Sequence, residues 1–335
     1  MKIDVHTHIL PKAIADFKAK FGYGGFIQSP NLKNVNEPIK LYKDDGNFFR
    51  NVNYNCFDIE TRLNEALLND VSIQVLSTVP VMFSYFAKPN DGLYIAQYLN
   101  DDLACSVSLN KDRLIGLGTL PMQSTKFAVK ELERCIKDLK LSGVQIGTHI
   151  NDINLDNECL YPFYEACQDL NASIFIHPWD MIGQKQMPKY FLPWLVGMPM
   201  EISLAINSLI FGGIFAKFPK LKVCFAHGGG SFGFTLGRIN HAYHVRPDLC
   251  AININEEPNS YLHNFYVDSL VHSQESLDFI IKIFGIDYIM TGSDYPFVLG
   301  EKYPGKLINE NINLTDSDKA KLLYQNAQRW LSIGV

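Results

Sequence analysis

A chain of 335 residues, 47% of them hydrophobic, has the length of one large α/β barrel with insertions and enough apolar material for a sizeable core. A net charge of −5 and a pI near 6.0 argue against general nucleic-acid binding, which needs a basic face. The seven cysteines are odd in number, dispersed and free of any Cys-x-x-Cys pair, which argues against a disulfide framework and for a reducing, cytoplasmic setting.

Polar and apolar residues alternate through Lys2, Ile3, Asp4 and Val5 with the period of a strand, and the strand ends in His6-Thr7-His8. No basic start followed by an apolar run precedes it, so no secretory leader is expected. Residues 12–57 read as a long insertion before the first helix. Its aromatics, in Phe21-Gly22-Tyr23-Gly24-Gly25-Phe26 and Phe48-Phe49-Arg50, predict a folded lid.

From Asp58 a regular alternation begins. Helices are predicted over Asp58–Leu68, Asp91–Asn110, Thr125–Leu139, Leu160–Leu170, Pro199–Phe215, Phe232–Tyr243, Leu277–Phe284 and Asp316–Leu331. Between them lie short apolar runs at Val71–Val79, Leu114–Leu120, Val144–Gly147, Ser173–Ile176, Leu221–Ala226, Phe265–Asp268 and Tyr288–Thr291. These read as strands buried on both faces, as parallel strands are. Eight strands, each followed by a helix, predict a single (β/α)8 TIM barrel over residues 1–335. The most membrane-like stretch, Ile202–Ala216, is about fifteen residues, short of the ~20 that span a bilayer. A buried helix at the core or at a subunit interface is expected there instead.

Chemistry collects where strands end, which is the active face of such a barrel. His6 and His8 end the first strand, His177 the fifth and His227 the sixth, and Asp294 follows the eighth. Singly, each has an ordinary explanation. A strand-end histidine is most often a hydrogen-bonded structural residue, and Asp294 in Gly-Ser-Asp-Tyr-Pro suits a turn or helix cap. Together, five strand-end positions with metal-compatible side chains predict three imidazoles and a carboxylate around one cation, with a further imidazole as acid or base. Gly228-Gly229-Gly230 lacks the spacing of a phosphate loop. His149, His241, His244, His263 and His272 keep the structural reading.

At these residues the chain resembles the amidohydrolase superfamily. Dinuclear members carry a metal-bridging lysine at the end of the fourth strand, whereas Gly143-Val144-Gln145-Ile146-Gly147-Thr148-His149 has none, so the resemblance implies one metal. A narrower resemblance, to the metal-dependent decarboxylase branch, is carried by stretches spread over the whole chain. His177-Pro178-Trp179-Asp180-Met181 and Cys224-Phe225-Ala226-His227-Gly228-Gly229-Gly230 are the most specific of them.

The resemblance implies a zinc ion held by His6, His8, His177 and Asp294, with His227 as the acid–base residue. It implies a homodimer in which an arginine of one subunit, Arg238 or Arg246, completes the other's site. It implies that Arg50 and Lys43 bind substrate carboxylate, and that Met181, Trp194 and Phe297 pack on the substrate. The substrate would be a small dicarboxylate bearing an enamine and an aldehyde. Zinc-activated hydroxide would add to it, His227 would return a proton, and carbon dioxide would leave without organic cofactor or oxidant. Two other readings stay open: a mononuclear zinc hydrolase on the same scaffold, and a non-catalytic binding protein on this fold.

Overall fold

The computed structural model describes residues 1–32 and 37–334, so residues 33–36 of the insertion lie outside the described residues. Eight parallel strands form one sheet in chain order: β1 (Ile3–Ile9), β2 (Ile73–Thr78), β3 (Leu114–Thr119), β4 (Gly143–Gly147), β5 (Ser173–His177), β6 (Lys222–Phe225), β7 (Phe265–Asp268) and β8 (Ile289–Met290). The ends of the sheet meet. Val5 N donates to Thr291 O at 2.9 Å and His8 N to Tyr295 O at 2.7 Å, with a parallel bridge between Thr7 and Tyr295. The strands are buried on both faces, β1 along its whole length, because helices cover the outside.

Those helices are α1 (Ile59–Leu68), α2 (Pro89–Ser108), α3 (Thr125–Lys137), α4 (Tyr161–Asp169), α5 (Met198–Phe211), α6 (Phe232–Val245), α7 (Gln274–Phe284) and, at the end of the chain, α8 (Asn326–Leu331). Their signals are local. On α3, Ala128, Leu132 and Cys135 form the buried stripe. The Ser273 side chain accepts from Ser276 N to cap α7, and Gly285, at φ +83°, ends it.

The apolar helix differs from the sequence expectation at both ends. It stops at Phe211, because Gly212 and Gly213 break it, the latter at φ +70°, before a short turn of helix at Ile214–Lys217. It also starts earlier, continuing a wide turn over Pro193–Gly197, so the helical run Pro193–Phe211 has 19 residues and a mean hydropathy of 1.4. That is long and apolar enough to cross a membrane by composition. In this fold Ile202, Ala205, Ile206, Leu209 and Ile210 pack into the barrel's main core instead.

Between β1 and α1, the insertion folds back over the barrel. A helical turn at Phe17–Phe21 is capped by Asp16, whose side chain accepts from Ala19 N. Ile39–Tyr42 and Phe48–Val52 then pair as an antiparallel hairpin. Ile39 and Leu41 are buried and Lys40 and Tyr42 exposed, so the hairpin has an inner face, and Arg50 lies opposite Leu41 on that face. A second hydrophobic cluster, with Leu10, Phe17, Phe26, Leu41, Phe57, Val79 and Met82, joins insertion to barrel. All seven cysteines are free thiols.

Candidate metal centre and active site

Four side chains converge because strand tips do. His6 and His8 are two apart on β1 and share a face, His177 ends β5, and Asp294 follows β8. Their ligating atoms all lie within 4.8 Å of one another. His6 Nε2 and His8 Nε2 are 3.1 Å apart, and Asp294 Oδ1 is 3.4 and 3.1 Å from them. A tetrahedral ion with bonds of about 2.0 Å has its ligands about 3.3 Å apart. His177 Nε2 is buried and has no hydrogen-bond partner among the described residues, a costly arrangement for an imidazole nitrogen unless something else binds it.

Each ring is turned by its other nitrogen. His6 Nδ1 is 2.7 Å from Asp268 Oδ2, His8 Nδ1 is 3.2 Å from Thr78 O, and His177 Nδ1 is 2.9 Å from Pro178 O. These acceptors favour a proton on Nδ1 and leave the Nε2 lone pairs facing the common point. Three such nitrogens and a carboxylate fit one divalent transition metal.

The charges follow the same geometry. Burial works against ionised Asp294, but hydrogen bonds with His6 and His8 outweigh it and hold the carboxyl well below its usual range. Burial also works against protonated His6, yet Asp268 and Asp294 raise it to about 10, so a cation entering the site displaces the proton from Nε2 while Nδ1 keeps its own. Burial, helped by the neighbouring imidazoles, pushes His177 well below its ordinary value. His227 is pushed down to about 4 by burial and then by His6. The His227 imidazole is therefore neutral at physiological pH and free to take a proton.

His227 stands beside the four, its ring centroid 5.0 Å from that of His177 and 5.3 Å from that of His6. Its ring nitrogens have no hydrogen-bond partner among the described residues. Both His227, at φ 56°, and Asp294, at φ 57°, adopt the left-handed backbone that costs non-glycine residues about 1–3 kcal/mol each. The glycine run serves this turn: Gly228 is at φ +60°, and a Cβ there would lie 2.4 Å from Val271.

A cavity opens over three of the four side chains. Arg50, Trp179, Trp194, Met198 and Phe297 line it with His8, His177 and Asp294. A neighbouring cavity of about 340 Å³ shares Trp194, Met198, Asp294 and Leu299 and leads from His227 out to Phe234 and Phe279. The Arg50 guanidinium lies over the Phe297 ring, 4.2 Å from its centroid, and has no ion-pair partner among the described residues. Trp194 stacks on Phe191 with centroids 4.4 Å apart.

The remaining expected residues lie elsewhere. Met181 is buried behind the wall, packed close to Gly197. Lys43 sits in the exposed hairpin turn, where its N–H and C=O bond to Asn47 and Gly46. Arg238 is exposed on α6, one turn past Phe234. Arg246 is paired with Asp248 at 2.7 Å on the surface. None of these four lines either cavity.

Two buried residues escaped the sequence reading. Asp268 ends β7 and bonds to His6, and the strand-tip argument that found Asp294 applies to it equally. Arg62, fully buried on α1, donates Nη2 to the carbonyl of His8, and its guanidinium faces the Tyr295 ring at 4.9 Å. It braces the tip of β1 from outside the barrel. Its one sequence signal is its place one turn before the buried Ala66, on a helix whose arginine reads as solvated.

The chain is similar along its length to known proteins. The sequence profile of the amidohydrolase family matches residues 3–333. The 2-amino-3-carboxymuconate-6-semialdehyde decarboxylase of Dictyostelium discoideum is 51% identical over 99% of this chain and 92% of its own length. The enzyme of that name from Caenorhabditis elegans is 38% identical over 99% of this chain and 94% of its own. A dihydroxybenzoic acid decarboxylase from Polaromonas, solved with manganese and 2-nitroresorcinol bound, shares the fold with a TM-score of 0.77 and 21% identity, over 99% of this chain and 97% of its own. The chain belongs to the amidohydrolase family, within its branch of metal-dependent decarboxylases, and is a carboxy-lyase.

Proposed function

We propose that the protein removes carbon dioxide from 2-amino-3-carboxymuconate 6-semialdehyde, giving 2-aminomuconate 6-semialdehyde, in tryptophan catabolism. This reaction draws the semialdehyde away from quinolinate and NAD synthesis. The observation that carries the reading is the convergence of His6, His8, His177 and Asp294 beside a neutral His227, under a cavity holding a free guanidinium. Similarity to two decarboxylases of that substrate along nearly the whole chain supports the choice of substrate.

The metal is zinc, held by these four residues, because three imidazoles suit it better than an oxygen-seeking ion. When bound, it supplies Lewis acidity and lowers the pKa of a coordinated water to near ~7. His8, His177 and Asp294 set where that cation meets the substrate. Arg50 grips a substrate carboxylate with its planar fork, steadied by Phe297 beneath it. Trp194 and Met198 close the wall and exclude water from the conjugated plane.

His227 moves the proton. It accepts one as water adds to the substrate and delivers it to the carbon that loses its carboxylate. The carbon–carboxylate bond then breaks, its electron pair re-forms the double bond and expels the added hydroxide, and the net change is a proton in place of carbon dioxide. Nothing is oxidised or reduced. Feeding the zinc-loaded protein the semialdehyde tests this: decay of its ultraviolet absorbance with stoichiometric carbon dioxide supports a decarboxylase. Decay without carbon dioxide favours the hydrolase, and no decay refutes both.

The protein acts as a homodimer in the cytosol, the setting its free thiols suit. Leu195 and Phe234 are exposed apolar residues lining the outer cavity, Val196, Met200 and Leu204 are exposed on the same helical run as Leu195, and Arg238 is exposed one turn past Phe234. A second copy seated there would bring its Arg238 to this site. Inactive Arg238→Ala and His227→Ala chains should regain activity when mixed. No recovery in proven mixed dimers would refute the sharing.

A further inference from the structure

We infer that Asp268 is a positioning residue that couples the two halves of the site: one carboxylate oxygen sets the tautomer of the ligand His6, and the other holds the turn that presents His227. The inference deepens the proposed function and rests on its roles for those two histidines.

Asp268 is fully buried at the tip of β7. Its Oδ2 lies 2.7 Å from His6 Nδ1. Its Oδ1 accepts from Gly228 N at 2.8 Å and from Leu270 N at 3.1 Å. Burial of a carboxylate is costly, and these three contacts offset that cost. The packing is built around the pair. Gly292 follows β8, and a Cβ there would come within 2.8 Å of Asp268 and 2.9 Å of His6. Only a bare Cα lets strand tip, ligand and carboxylate approach so closely.

Each oxygen has a separate consequence. An ionised carboxylate accepts and cannot donate, so His6 must carry its proton on Nδ1, leaving Nε2 to bind the cation. The other oxygen ties down the amide directly after His227, in the turn where both His227 and Gly228 are left-handed. Without that acceptor the turn loses the bond that offsets its strain, and the imidazole moves relative to the metal ligands.

Two substitutions separate the consequences. In Asp268→Asn, the amide oxygen still serves Gly228 and Leu270, but its NH2 faces His6 Nδ1. The proton then moves to Nε2, the nitrogen meant for the metal. Asp268→Ala removes both functions.

Chelator competition should show zinc affinity falling by about 10–100-fold in both variants. At saturating zinc, the asparagine variant should keep a kcat at least roughly ten times that of the alanine variant, since a misplacement of about 1 Å costs on the order of 100-fold. Nitrogen NMR of the metal-free proteins should show the Nδ1 of His6 protonated in wild type and unprotonated in Asp268→Asn.

Wild-type zinc affinity in Asp268→Asn, an unchanged His6 tautomer, or equal kcat in both variants at saturating zinc would overturn the inference. The tautomer and affinity readings need neither a folded alanine variant nor turnover. They therefore stand apart from any failure of the proposed reaction.

Discussion

The two ends of the barrel use their polar groups in opposite ways. At the N-terminal end, Ser173 Oγ donates to Trp330 O at 2.7 Å, Trp330 Nε1 donates to Lys222 O at 3.0 Å, and Lys222 Nζ donates to Ser332 Oγ at 3.0 Å. These bonds pair polar groups with one another around a fully buried indole. At the C-terminal end, His177 Nε2 has no partner among the described residues, two imidazole nitrogens face each other and a carboxylate, and His227 and Asp294 hold left-handed backbone. One end is satisfied at the expense of reactivity. The other stays reactive because its groups are held in place and left incompletely bonded.

Substitutions at the two ends should therefore fail differently. The largest effect belongs to His177→Ala at the reactive end. Metal per chain should fall to about a tenth or less and turnover with it, while the metal-free fold survives. Full metal content in that variant, by elemental analysis, would remove His177 from the ligand set. Next comes Trp330→Ala at the closed end. Denaturant unfolding should show a loss of about 3–5 kcal/mol, the usual cost of emptying a large aromatic site. The folded fraction should keep wild-type kcat. A selective loss of kcat there would break the distinction between the ends.

The smallest effect concerns Glu301, half-buried on the loop after Asp294. Burial raises its pKa from the ordinary 4.5 to about 7, so the folded chain holds a proton that the unfolded chain has released. Its contribution to stability is complete below pH 4.5 and is lost as pH rises towards 7. Glu301→Gln should flatten that decline in unfolding free energy. An unchanged pH profile would place the burial cost elsewhere.

What the sequence made legible tracks the same division. Strand tips announce themselves, because an apolar run ends where a polar residue begins, and His6, His8, His177 and Asp294 were found that way. The eight alternating elements follow from periodicity, whereas the hairpin within the insertion was not read, although Ile39 and Leu41 alternate with exposed residues there. Asp268 was missed although it also ends a strand, because its partner lies far off in sequence on β1. Arg62 was missed because a helical arginine normally faces water, and only the packed barrel shows it turned inward to the His8 carbonyl. The early start of the apolar helix was hidden by Pro193 and Pro199, which read as breaks but sit in the first turns, where proline is tolerated.

The central claim is that metal binding and proton transfer belong to different residues of one strand-tip cluster. His227→Ala tests it most directly, with bound zinc and carbon dioxide release measured on the same sample. The account predicts about one zinc per chain, as in wild type, and a kcat lower by roughly 10²–10⁴-fold. Near-normal release of carbon dioxide would contradict the proton role, and loss of zinc would contradict the separation.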